Sequence, residues 1–87
     1  MTSFNDLFHV LLERANTSTS ESRTAELLAQ GTHAIGKKIV EEAAEVWMAA
    51  EHESKQATAT EVAQLIYHLQ VLMIDQKISL EELEKEL

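Results

Sequence analysis

Four glutamates stand at spacings that bring them within reach of one another if the chain is helical: Glu41, Glu42, Glu45 and, further along, Glu61. Side chains three or four residues apart share a helix face, so Glu42 and Glu45 reach one patch. Carboxylates gathered at one place repel unless something offsets their charge. A hard divalent cation does so, and oxygen ligands suit Mg²⁺. Mg²⁺ keeps several waters and is usually completed by substrate phosphates, so a few carboxylates suffice. Lys37 and Lys38 come one helical turn before Glu41 and Glu42, where their ammonium groups would hold phosphate oxygens. This combination suits metal-assisted work on a phosphorylated substrate.

A plainer reading of the same residues stays open beside it. Glu41, Glu42 and Glu45 also suit a solvated helix face, with Lys38 and Glu42 as an i,i+4 pair. Glu61 follows Thr58 at the spacing of a capping box. His68, beside an apolar seam, suits a hydrogen-bonded packing residue as well as a ligand. Lys37 and Lys38 serve solubility equally well. Trp47, the only tryptophan, suits a core or a subunit interface, and Met48 and Met73 suit packing.

The elements that must position these residues are helices. Proline is absent and glycine occurs twice, so little breaks a long helix. Phe4, Leu7, Phe8, Leu11, Leu12 and Ala15 recur at helical spacing and define a helix over 4–15, with Ser3 as its N-cap. Residues 16–21 are polar and read as a loop. A short helix over 24–30 should end at Gly31, in the C′ position. Thr32 would cap a long helix running to about Glu53. Residues 54–58 then form a polar connection, and a second long helix, opened by Thr58 and Glu61, continues to about Gln76. Ser79 and Glu82 repeat the capping-box spacing before a last short helix, with Ile78 and Leu83 placed as a hydrophobic staple.

At about 100° per residue, Ile35, Ile39, Ala43, Val46 and Ala50 form the core stripe of the first long helix, widened by Val40 and Trp47. Glu42 borders that stripe. On the second long helix Val62, Leu65, Ile66, Leu69, Leu72 and Met73 form the apolar arc. Glu61 and His68 flank it, with Gln64 and Asp75 just beyond. A short link makes the two helices antiparallel neighbours, and packing their apolar arcs brings the acidic borders together. No segment alternates with period two. The expected fold is all-α, an antiparallel bundle built on two long helices within one domain, 1–87.

Composition sets the outer limits. A chain of 87 residues has a marginal core of its own, which favours a homodimer or higher homo-oligomer. Fifteen acidic residues against seven Lys and Arg, a net charge of −8, weigh against nucleic acid as a partner. No apolar run approaches the roughly 18–20 residues of a membrane span. No basic patch followed by an apolar stretch marks a signal peptide. Without cysteine there is no disulfide or thiolate metal site, and a cytoplasmic location is expected.

Lys37-Lys38, Glu41-Glu42-Ala43 and Glu45-Val46 resemble the signature of the phosphoribosyl-ATP pyrophosphatases. Ser22-Arg23-Thr24 with Leu27-Leu28, the stretch Gln64 to His68, and Ser79 to Leu83 are similar to other segments of that family, so the resemblance covers nearly the whole chain. Glu41-Glu42, Glu45, Glu61 and Gln64 are also similar to the EExxE…ExxD pattern of MazG-type α-helical pyrophosphohydrolases. Gln64 departs from it, an amide where that pattern has an acid.

The resemblance implies Mg²⁺-dependent hydrolysis of phosphoribosyl-ATP to phosphoribosyl-AMP and pyrophosphate, a step of histidine biosynthesis. It implies Glu42, Glu45 and Glu61 as metal ligands and Glu41 as the base or an outer group. Lys37, Lys38, Ser22 and Thr24 would meet phosphate or ribose, with Gln64 and His68 at the site's edge. Two rival readings are a house-cleaning nucleoside triphosphate pyrophosphohydrolase and a non-catalytic acidic helical dimerisation module.

Overall fold

The computed structural model describes all residues, Met1–Leu87, and contains five helices and no strand. They are α1 (Phe4–Arg14), α2 (Arg23–Gln30), α3 (Thr32–His52), α4 (Lys55–Asp75) and α5 (Leu80–Glu86). Serine side chains start four of the five. Ser3 and Ser79 form reciprocal capping boxes with Asp6 and Glu82, as their spacing predicts. Ser22 accepts from the Ala25 N–H at 3.1 Å and Ser54 from the Ala57 N–H at 3.0 Å. Gly31 ends α2 and begins α3 with φ of 96°, a conformation that favours glycine.

Two expected caps are corrected. Thr32 is already helical, and its hydroxyl donates to the Asp75 carboxylate at 2.6 Å instead of capping α3. The box at Thr58 and Glu61 does not form. Ser54, in an extended conformation, caps first, so α4 begins at Lys55 and Thr58 donates to the Ser54 carbonyl from within the helix. Glu61 is thereby released from the capping role that competed with chemistry.

The α3–α4 hairpin is the main packing unit, and the Thr32–Asp75 bond joins its open ends, so the two helices are antiparallel. Helix α2 lies against both long helices and α1 against α4. Leu11, Leu27, Ile35 and Val71 meet in the core, with Leu7, Ile39, Tyr67 and Leu72 packed around them. Each of α1 to α4 thus supplies one residue to the same cluster, and α5 supplies none.

The apolar stripe of α3 is turned from the expected one. Ile35 and Ala49 are buried and Ile39, Glu42 and Val46 half-buried, whereas Ala43 and Ala50 are exposed. At about 100° per residue this centres the buried face roughly 40° closer to Glu42. Glu42 therefore leans into the α3–α4 seam. Val40 and Trp47, expected to widen the core, are instead 70% and 66% exposed.

Candidate active site

An open cleft of about 880 Å³ lies where the edge of the α3–α4 hairpin faces α1 and α2. That volume is in the range of small-molecule sites. Glu42 and Glu45 enter it from α3, and Glu61 and Gln64 from α4. The helical repeat explains the convergence: Glu42 and Glu45 are one turn apart, as are Glu61 and Gln64, so each helix presents two oxygen-bearing side chains to the same space. Leu7 of α1 and Ala63 and Tyr67 of α4 add the less polar part of the wall.

The carboxylates feel one another. The Glu61 carboxyl is held above its ordinary value, first by partial desolvation, then by the charges of Glu45, Glu42 and Glu53, and by hydrogen bonding to Glu42. No three acidic or imidazole groups close into a ready-made metal cage. Mutually repelling carboxylates around an open space suit a hydrated ion that takes its remaining ligands from water and phosphate. Glu42, Glu45 and Glu61, with Gln64 beside them on the cleft wall, are the residues that could hold such an ion.

Other residues singled out from the sequence are placed elsewhere. Glu41 does not line the cleft. It points to a separate depression shared with His33 and Lys37, and pairs with Lys38 at 3.3 Å. Lys37 and Lys38 are likewise outside the cleft: Lys37 sits on the part of α3 that turns away from α4, whereas Lys38 shares the face of Glu42 and Glu45 but lies a turn earlier, in an adjoining depression with Arg23 and Glu26 of α2. Ser22 is buried, and its hydroxyl is committed to the α2 cap. Thr24 does reach the cleft wall, where its hydroxyl is 2.8 Å from the Tyr67 hydroxyl. His68 is buried at 1% exposure, with Nδ1 2.8 Å from the Gln64 carbonyl, and belongs to the packing under the site.

Two cations of the cleft carry no role in the sequence reading, although Arg23 lies within one of the segments that resemble the family. Arg14 closes α1 and Arg23 opens α2, and both line the cleft. Neither belongs to an acidic motif. Their place depends on α1 and α2 folding back over the hairpin, which spacing along the chain does not encode.

The phosphoribosyl-ATP pyrophosphohydrolase family model matches residues 4–87. The chain is 56% identical to a phosphoribosyl-ATP pyrophosphatase of Bifidobacterium adolescentis, covering all of both chains. It is 59% identical to one of Streptomyces avermitilis and 58% to one of Streptomyces coelicolor, each over 91% of this chain and 89% of that protein. From the all-helical hairpin, the acid-lined cleft and likeness along nearly its full length, the chain belongs to the phosphoribosyl-ATP pyrophosphohydrolase family.

Proposed function

We propose that this chain hydrolyses phosphoribosyl-ATP to phosphoribosyl-AMP and pyrophosphate in histidine biosynthesis, with Mg²⁺, as a cytoplasmic homodimer. The observation that carries the reading is the convergence of Glu42, Glu45 and Glu61 on one cleft, in a chain whose relatives bear that enzyme's name. Water attacks phosphorus, the anhydride between the α and β phosphates breaks, and pyrophosphate leaves. Bound Mg²⁺ would supply charge stabilisation for the leaving group and a more acidic water. Glu42, Glu45 and Glu61 would hold the ion from two helices, and Gln64 would offer an amide oxygen without a fourth negative charge. A carboxylate oxygen of this set not spent on the metal accepts the proton of the attacking water. Glu41, the first choice for that role from the sequence, stands outside the cleft and is not assigned it.

The dimer is supported by a second apolar face on α3. Gly36, Val40, Ala43, Trp47 and Ala50 follow one another at alternating spacings of four and three, the repeat of a helix-pairing seam. Val40, Ala43, Trp47 and Ala50 are exposed. A second copy of the same helix would cover them.

Glu42→Gln and Glu45→Gln test the site. Each removes one negative charge at nearly constant size. Each is expected to lower kcat by about a hundredfold or more while leaving the circular dichroism of the helices unchanged. Full activity in both variants would remove the metal site as drawn.

A further inference from the structure

The chain has only two arginines, Arg14 and Arg23, and both line the cleft, whereas none of its lysines does. Neither guanidinium is paired with any of the fifteen acidic side chains, since the one ion pair in the structure is Lys38–Glu41. In so acidic a chain, two unpaired arginines facing one cavity leave a cationic region without its anion. The carboxylates enter from α3 and α4, and the arginines from the end of α1 and the start of α2. The cleft therefore has an acidic pole and a basic pole carried by different helices.

The two poles suit different parts of one ligand. The acidic pole, through a divalent ion, takes a triphosphate. A guanidinium offers a planar fork of donors that matches phosphate oxygens two at a time, which an ammonium does not. Under the function proposed above, on which this inference rests, the substrate differs from ATP by an added ribose bearing its own phosphate. That phosphomonoester carries close to two negative charges and three acceptor oxygens. We infer that Arg14 and Arg23 form a phosphomonoester-binding pole that makes this cleft prefer a nucleotide with a second phosphate over a plain nucleoside triphosphate. Thr24 and Tyr67, joined hydroxyl to hydroxyl, form the wall beside Arg23 and hold α2 to α4, so they fix the helix that carries it.

The test is to measure kcat and KM with phosphoribosyl-ATP and with ATP for the wild type, Arg14→Gln and Arg23→Gln, with thermal melts as the folding control. Both side chains are exposed and without an ion-pair partner, so the variants are expected to fold. Loss of a charge-assisted contact should lower kcat/KM for phosphoribosyl-ATP by about tenfold to a hundredfold, mostly through KM. The fall with ATP should be much smaller, so the preference between the two collapses. Equal losses with both substrates would place the arginines on the shared triphosphate and overturn the inference, as would no loss with either. Titration with ribose 5-phosphate, followed by NMR without metal, is independent of turnover. Binding by the wild type and loss in both variants supports the pole even if phosphoribosyl-ATP is not hydrolysed. No binding by the wild type overturns it whatever the enzyme assay gives.

Discussion

At the scale of single residues, Glu61 links stability to chemistry. Its carboxyl is raised above its ordinary value of 4.5 by desolvation and by the neighbouring glutamates. The folded state thus binds this proton more tightly than the unfolded one. The resulting stabilisation is present below the unfolded value and is lost as pH rises through the raised one. In EDTA, Glu61→Gln should therefore melt higher than wild type at neutral pH, and the gap should close as pH falls below the carboxylate range. Added Mg²⁺ should raise the wild-type melting temperature and not that of the variant. Melting scans over this pH range check both, and a Glu61→Gln protein less stable than wild type at neutral pH would contradict the repulsion. The meeting of Glu42, Glu45, Glu61 and Gln64 in one cleft was legible because their spacing is helical and their helices are long. Arg14, Arg23 and Tyr67 were not, because only tertiary folding brings them to the cleft. Lys37 and Glu41 line a different depression because neighbours in sequence on a helix point in different directions, and Lys38, on the face of Glu42 and Glu45, falls one turn short of the cleft.

At the scale of the elements, the serines at positions 3 and 79 announced their helices through short-range hydrogen bonds that sequence spacing captures. The start of α4 was misjudged because Ser54 and Thr58 both offer a cap, and the serine, coming first, leaves no helix end for Thr58 to cap. The end of α4 hides a cost. Lys77 has φ of 59°, and Ile78 N–H bonds to the Met73 carbonyl at 2.8 Å while Lys77 N–H bonds to that of Ile74 at 3.1 Å. This is a helix terminus of the Schellman type with lysine where glycine is favoured. Relief of the left-handed strain, less the entropy glycine adds to the unfolded chain, should make Lys77→Gly more stable by about 0.5–1 kcal/mol. That corresponds to roughly 3–6 °C in melting temperature for a chain of this size. Calorimetry checks it, and an unchanged or lower melting temperature would mean that the lysine side chain contributes more than its backbone costs.

At the scale of the whole molecule, 12 of 87 residues are buried, a core as small as the chain length led one to expect. The all-α hairpin was legible, since helical spacing recurs along the chain and the serine caps of α1 and α5 agree with it. The rotation of α3 was not. An apolar stripe wide enough to face both α4 and a second copy does not say which part goes where. Trp47→Glu should convert a wild-type dimer to monomer in light scattering at micromolar concentration, with lower stability from the exposed remainder of the seam. A wild type that is monomeric, or a variant that remains dimeric, would remove this face as the interface. The most direct test of the enzymatic account is pyrophosphate release from phosphoribosyl-ATP, with ATP and dCTP in parallel, each in Mg²⁺ and in EDTA. Rapid release from phosphoribosyl-ATP in Mg²⁺ only, with little from the other two, is the predicted result. No release from phosphoribosyl-ATP by the folded protein, or release undiminished by EDTA, would contradict it.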